Sequence, residues 1–365
     1  MKVAWEEKGG IAPEADLHDS TRAPELPALH RTLRLHPNFI FPYPRPLLIR
    51  DVGFSLTLLA GAAHRALADA VAARIGVSVG VTSTVRFPDG ELHVAVRDTL
   101  RGHDVFLMQP TAPPFEAQLL ELLLLADACR RAGAARLTAL MPYFGYARQD
   151  RRAGGREPVG ARLVADMLAA GHIDRVVAVD LHTATLEAAF SMPLEHLSAV
   201  PALAEAERES MDDGVVVAPD LGAARLADRY GRFLDLPVAV VHKTRVSGAE
   251  VAVRAVTGDV RDRAPLIVDD MISTGATIAA AVAALINAGC RPAFCVIATH
   301  GLLVGDAPQR LARLGLRRLT VSDTVPAPRC PSDLPLRVVT IAPLLAEVVR
   351  RLHEDRSLAD LLVHF

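Results

Sequence analysis

VDDMISTGAT, residues 268–277, carries the reading of this chain. It continues a short apolar run begun by Leu266 and Ile267, of the kind that forms a buried strand, and it opens an Ala-rich stretch, 278–288, that reads as a helix stopped at Gly289. The intervening loop therefore sits at a helix N-terminus. There the unpaired N–H groups of the first turn, the positive end of the helix dipole and the hydroxyls of Ser273, Thr274 and Thr277 can face one phosphate. Gly275 lets the backbone approach closely, with Ala276 beside it. Asp269 and Asp270 point to opposite sides of the strand. An ionised carboxylate offers only acceptors, so at least one of them suits vicinal sugar hydroxyls. The same string is also compatible with an ordinary strand-to-helix turn carrying an Asx cap.

The rest of the composition bounds what surrounds this loop. With 365 residues, 51% of them hydrophobic, the chain can bury two sizeable cores. No apolar run reaches the length and purity of a membrane span, and even residues 119–125 are a short stretch with Glu121 inside it. Glu6, Glu7, Glu14 and Asp16 stand where a secretory signal needs an apolar segment, so the expected location is cytoplasmic, with no membrane association. Cys129, Cys290, Cys295 and Cys330 have neither metal nor disulfide spacing. A net charge of −2 without a basic block makes nucleic acid a poor candidate partner. Lysine occurs only as Lys2, Lys8 and Lys243, although Lys and Arg together number 40, so Lys243 in HKTR (242–245) stands out as the one lysine outside the N-terminal tail. A compact ammonium on a flexible stem can do what a planar guanidinium cannot.

Residues 1–55 are rich in Pro, Arg and Glu, and PNFIFPYPRP at 37–46 suits neither helix nor central strand; an extension, partly disordered or draped over the body, is expected. Thereafter helices are expected at 60–75, 115–132, 158–170, 202–209, 222–230, 278–288 and 343–353. Extended segments are expected at 77–85, 92–96, 105–109, 137–141, 176–181, 215–218, 238–241, 251–256, 266–268, 294–299, 316–321 and 338–341. Such alternation argues for an α/β protein with parallel sheets covered on both faces, in two units with a site between them.

PYFGYARQDRR, residues 142–152, packs two tyrosines, a phenylalanine and three arginines into eleven positions. A loop of this kind can stack a purine and pair with a polyphosphate, or its aromatics can simply be structural. Likewise His182 in VDLH (179–182) could be no more than a histidine in a tight turn after a strand. Taken with RFPDGE (86–91), QP (109–110), APDLG (218–222), KTR (243–245), VDDMISTGAT and ATHG (298–301), however, the series resembles the ribose-phosphate diphosphokinase family from about residue 57 to about residue 361, in order and at matching intervals. Phosphoribosyltransferases share only the sugar-phosphate loop.

The resemblance implies two phosphoribosyltransferase-like domains, each a mainly parallel sheet flanked by helices, at 56–200 and 201–342, followed by a helix within 343–365 that packs back on the body. It implies Mg²⁺-dependent transfer of the diphosphoryl group of ATP to ribose 5-phosphate, with release of AMP. On matching positions, Asp89 and Glu91 belong to an adenine-reading loop with Phe87 as its stacking residue, and that loop reaches a neighbouring subunit's site, so a homo-oligomer is expected. Arg148 and Gln149 match the ATP-binding pair, and His182 and Asp220 the Mg²⁺-associated residues. Because Mg²⁺ prefers oxygen and keeps its waters, His182 is expected to act partly through water or to touch phosphate. Lys243 and Arg245 match a catalytic flexible loop, Asp269 and Asp270 the ribose-binding acids, and Ser273, Thr274, Gly275, Ala276 and Thr277 the cradle of the 5-phosphate.

Two alternatives fit less well. A phosphoribosyltransferase would leave the ARQDRR and PDGE segments unexplained, and a non-catalytic regulatory paralogue should have lost Lys243 or Arg245, which are intact. The chain departs from the family pattern at Ser273, where many members have Asp, and at Ala276, where many have Gly. After His182 it reads TATLEAAFSMP (183–193), without the Gln-Gly-Phe string that helps build the family's inhibitory nucleotide site. Inhibition by ADP is therefore expected to be weak; saturation curves showing strong, cooperative ADP inhibition that is not competitive with ATP would contradict this.

Overall fold

The computed structural model describes residues 54–152, 154–211, 213–245 and 251–363, with only the backbone described at residues 210, 243–245 and 251–254. The expectation for residues 1–55 thus falls almost wholly outside the described residues. From Gly53 onward the chain is one compact unit.

Its first half runs β1 (Leu56–Ala60), α1 (Arg65–Ile75), β2 (Thr82–Arg86), β3 (Leu92–Val96), β4 (Asp104–Met108), α2 (Phe115–Arg131), β5 (Arg136–Met141), α3 (Gly160–Ala170), β6 (Arg175–Val179) and β7 (Leu194–Leu197). Strands β1-β4-β5-β6-β7 form a five-stranded parallel sheet, and β2 and β3 a separate antiparallel hairpin. The second half runs α4 (Val200–Glu207), β8 (Gly214–Ala218), α5 (Ala224–Leu234), β9 (Val238–Arg245), β10 (Val251–Thr257), β11 (Ala264–Ile272), α6 (Ala276–Asn287), β12 (Cys295–Gly301), α7 (Ala307–Ala312), β13 (Arg318–Ser322), β14 (Leu336–Val339) and α8 (Ala342–His353). Its seven-stranded sheet has the order β10-β9-β8-β11-β12-β13-β14 and is parallel except where β10 pairs with β9.

The central strands are buried along their whole length, and mostly apolar, because both faces are covered: every residue of β4, β8 and β12 is buried. One cluster joins the sheets, with Leu58, Val177 and Val179 of the first and Val216, Leu266, Val268 and Ile297 of the second packed together with residues of α1, α4, α5 and α8. The outer face of the first sheet is closed by α2 and α3, that of the second by α6 and α7. Helix α8 enters the shared cluster through Leu345, Ala346, Val348 and Val349.

Three features depart from the pattern expected above. Residues 56–60, in part expected as helix, form β1, because LTLLA pairs in register with β4; the helix begins only where the His64 ring caps it by accepting from Leu67 N–H at 3.4 Å. Strand β7 is a four-residue edge strand, too short to show a period. Helix α7 has only six residues.

The two sheets are also tied by one carboxylate. Asp180, directly after β6, is buried in the left-handed region at φ 38°. It accepts hydrogen bonds from Ser198 Oγ at 2.8 Å, Ala199 N at 2.9 Å and Thr299 Oγ1 at 2.7 Å, while His300 Nε2 lies 3.1 Å from its carbonyl oxygen. Residues 198 and 199 follow β7, and Thr299 and His300 belong to β12. Asp180→Ala is expected to lower unfolding free energy by roughly 3 kcal/mol, since it strands buried donors. Arg65→Ala, which removes an exposed pair with Asp69, should cost under about 0.5 kcal/mol. Equal losses in denaturant titrations would contradict this ranking.

Candidate active site

A cleft of about 740 Å³ opens at the carboxyl ends of β6, β8 and β11, where open α/β sheets present their ligand sites. Its walls include Arg148, Asp150 and Arg151, residues 180–185, Asp220, Arg225 and Arg229, and all residues from Asp269 to Ile278.

Strand β11 runs to Ile272, so Asp269 and Asp270 lie within it, and both reach the cleft. Gly275 then adopts φ 73° and α6 begins with no side-chain cap. The Asx cap left open by the sequence is not built at this helix. Asp269 Oδ1 instead accepts from the Asp270 N–H at 2.9 Å, and the positive end of α6 is directed to the loop, where it favours an anion. A side chain at position 275 would be strained by its backbone angle and would crowd Leu311, whose Cγ lies 3.2 Å from the place of a Cβ.

The acids here do not behave alike. His182 Nδ1 stands 2.7 Å from Asp270 Oδ2, a contact between the end of the first sheet and the middle of the second. That hydrogen bond, reinforced by the Asp270 charge, outweighs burial and raises the His182 pKa. Burial alone would raise Asp270, but the bond to His182 and its charge bring it below the usual carboxylate range. Asp269 has no such partner: burial first, then the charge of Asp270, a hydrogen bond to it and the charge of Asp220 push it well above that range. Asp220 is oriented by its own turn, Oδ1 accepting from Gly222 N at 3.0 Å and Ala223 N at 3.3 Å.

Like-charged carboxylates this close fit a divalent cation. A histidine anchored through Nδ1 with Nε2 left over is the usual posture of a metal-bound imidazole. Among the described residues no three His, Cys, Asp or Glu side chains group tightly enough to hold a metal by themselves. A divalent cation held here would therefore need further oxygen ligands from outside the chain.

The structure thus brings Arg148, His182, Asp220, Asp269, Asp270 and residues 273–277 into one cleft. The other residues singled out in the sequence lie off its wall. Gln149 lies over the start of α3, where a Cβ on Gly160 would collide with its Oε1. Phe87, Asp89 and Glu91 form the tip of the β2–β3 hairpin, with Glu91 N–H donating to Asp89 Oδ1 at 3.1 Å and an exposed Phe87 ring 5.5 Å from that of His93. Lys243 and Arg245 stand on β9, where a flexible loop was expected; their backbones pair with Val253 and Val251, while residues 246–250 and both side chains lie outside the described set. In the arginine loop Tyr143 and Phe144 are buried and serve packing, not stacking on a base. Tyr146 is the more accessible aromatic there, its hydroxyl donating to Glu116 at 3.1 Å.

Sequence reading passed over several residues of the site. Asp150 accepts from Thr183 Oγ1 at 3.0 Å, and the buried His196 accepts the Leu181 N–H through Nε2 at 2.9 Å, which fixes the turn carrying His182. His300 packs edge-on against Tyr143 at 4.9 Å. Arg225 and Arg229 are four apart on α5 and share the cleft, a spacing that could have marked them; Arg229 also donates to Ser198 Oγ at 2.7 Å.

Comparison with known proteins gives matches in both halves. Residues 56–171 match the N-terminal domain of ribose phosphate pyrophosphokinase, and residues 245–363 match the phosphoribosyl synthetase-associated domain. A ribose-phosphate pyrophosphokinase of Gloeobacter violaceus is 40% identical over 308 residues, 84% of this chain and 92% of its own. One from Mycobacterium bovis is 41% identical over 312 residues, 84% and 95% respectively. The crystal structure of phosphoribosylpyrophosphate synthetase from Mycobacterium smegmatis superposes with a TM-score of 0.76 at 41% identity, over 82% of this chain and 99% of that one.

The His182–Asp270 pair has a definite pH signature. Its stabilisation is complete between the ordinary values of 3.8 for Asp and 6.5 for His. It fades as pH rises through the raised His182 pKa and as pH falls through the lowered Asp270 pKa. The stability difference between wild type and His182→Asn, followed by denaturant unfolding, should therefore be greatest in that window; a difference independent of pH would contradict the pairing.

Proposed function

The chain belongs to the ribose-phosphate pyrophosphokinase family, and from that premise we propose how its cleft makes 5-phosphoribosyl 1-diphosphate and AMP from ribose 5-phosphate and ATP. The observation that carries the reading is the run from Asp269 and Asp270 into the uncapped N-terminus of α6, facing Arg148 and Arg151 across one cavity. A sugar phosphate and a polyphosphate have complementary walls there.

In this scheme the 5-phosphate rests on the N–H groups and hydroxyls of residues 273–277, with Ser273 supplying a neutral donor. Asp270, kept ionised by His182, accepts from the ribose hydroxyls. Asp269, with its raised pKa, shares that task when neighbouring positive charge draws off its proton. The anomeric oxygen then attacks the β-phosphorus. A bond forms between them, the bond from the β-phosphorus to the α,β-bridging oxygen breaks, AMP leaves with that oxygen, and the hydroxyl proton passes to water. Neither a covalent intermediate nor a dedicated base is needed, since in-line positioning supplies much of the rate.

Arg148 and Arg151 face the triphosphate. We assign Gln149 to the same nucleotide pair, acting from its place beside α3. Lys243 and Arg245 supply positive charge to the migrating group and the leaving phosphate, stabilisation that counts most in the transition state. Asp220 would hold Mg²⁺, with His182 acting through water or touching phosphate, and the ion when bound would supply positive charge that offsets the phosphates.

Phe87, Asp89 and Glu91 read adenine in the cleft of a second copy of the chain. What supports this is their position at an exposed hairpin tip away from their own cleft. The working enzyme is accordingly a homo-oligomer. A cytoplasmic location suits a chain in which no helix among the described residues is long and apolar enough to cross a membrane.

With Mg-ATP, AMP should appear only when ribose 5-phosphate is added. Lys243→Ala is expected to cut that turnover by orders of magnitude while leaving the KM for ATP nearly unchanged. Near-wild-type turnover in the variant would refute its role, and sugar-independent AMP release would refute the reaction.

A further inference from the structure

An anion cradle built from backbone works only if its N–H groups face the ligand, which requires its carbonyls to be satisfied on the opposite side. In this loop the carbonyls are engaged one after another. Ile272 O accepts from Leu303 N at 2.9 Å, Ser273 O from Val304 N at 3.0 Å, Thr274 O from Arg310 Nη1 at 2.8 Å and Gly275 O from Ala279 N at 3.0 Å. The segment from Leu303 to Leu311 thus backs the loop, with the buried Leu311 against Gly275. Arg310 adds a charged side chain to this backing. It lies on α7, outside the cleft wall, and its guanidinium is braced by Asp306 at 3.2 Å one turn earlier.

We propose that Arg310 is a positioning residue for ribose 5-phosphate, holding the Thr274 carbonyl away from the cleft so that the loop's N–H groups stay turned toward the 5-phosphate. This rests on the assignment of residues 273–277 as the phosphate cradle. The guanidinium also places a positive charge behind the loop, on the side opposite the anion, where it adds to the positive end of α6. Without it the loop can rotate the 274–275 peptide, and binding must then meet the cost of re-ordering it. Lysine at this position keeps the charge, on a single donor nitrogen, but loses the planar fork that reaches Thr274 and Asp306 together.

The test is titration calorimetry of ribose 5-phosphate into the full-length protein, alongside KM values for both substrates. Arg310→Ala should weaken ribose 5-phosphate binding roughly tenfold, as expected for loss of one charge-assisted hydrogen bond, with the KM for ATP and the melting temperature unchanged. Arg310→Lys should recover part of the affinity, and Asp306→Ala should weaken it less than Arg310→Ala does. Wild-type affinity in Arg310→Ala would overturn the inference, as would equal losses for both substrates with a lowered melting temperature. Failure of the wild-type protein to bind ribose 5-phosphate would overturn the cradle assignment itself, and the inference with it.

Discussion

The buried carboxylate of Asp180 fixes the relation between the two sheets on which the cleft depends. It gathers donors from the chain after β7 and from β12, and its carbonyl oxygen meets His300, so the ends of both sheets are referred to one residue. A buried carboxylate is tolerated because three donors satisfy it, and once satisfied it resists displacement. Two residues on, His182 reaches Asp270 and repeats the connection at the cleft surface. Asp270, the acid we assign to the sugar hydroxyls, is thus kept ionised by a residue from the other sheet, and proper docking of the halves and proper charge at the site become one condition.

The electrostatic design follows from that docking. Three carboxylates, Asp220, Asp269 and Asp270, line the cleft to which we assign a phosphorylated ligand, an arrangement that in isolation repels it. His182 offsets one, Asp269 is driven toward its neutral form, and Asp220 is turned by its own capping bonds. Positive charge comes from the facing wall, where Arg148, Arg151 and Arg225 line the cleft. The cradle itself contributes oriented N–H groups and no formal charge, so its strength depends on how rigidly those groups are aimed.

Much of this was legible in the sequence because it is written in local pattern. The strand, glycine and hydroxyls of 268–277, the alternation of strands and helices, and the position of His182 after a strand all depend on neighbours within a few residues. What was missed depends on partners far away in sequence. Asp180 pairs with Thr299 across 119 positions and His182 with Asp270 across 88, and no short-range period encodes either. The burial of Tyr143 and Phe144 is of the same kind: as a string PYFGY resembles an exposed aromatic loop, yet Tyr143 packs on His300 and Phe144 on Phe190. β1 was obscured because LTLLA runs without a polar break toward an Ala-rich helix, and only pairing with β4 decides for strand.

The central claim is that the α6 N-terminal loop grips the 5-phosphate through its backbone. Amide hydrogen exchange read at residues 273–278, with and without ligand, tests it most directly. The account predicts strong protection of these amides by ribose 5-phosphate and little by ribose at the same concentration. Equal protection by the two sugars, or protection elsewhere in the cleft with these amides unchanged, would contradict it.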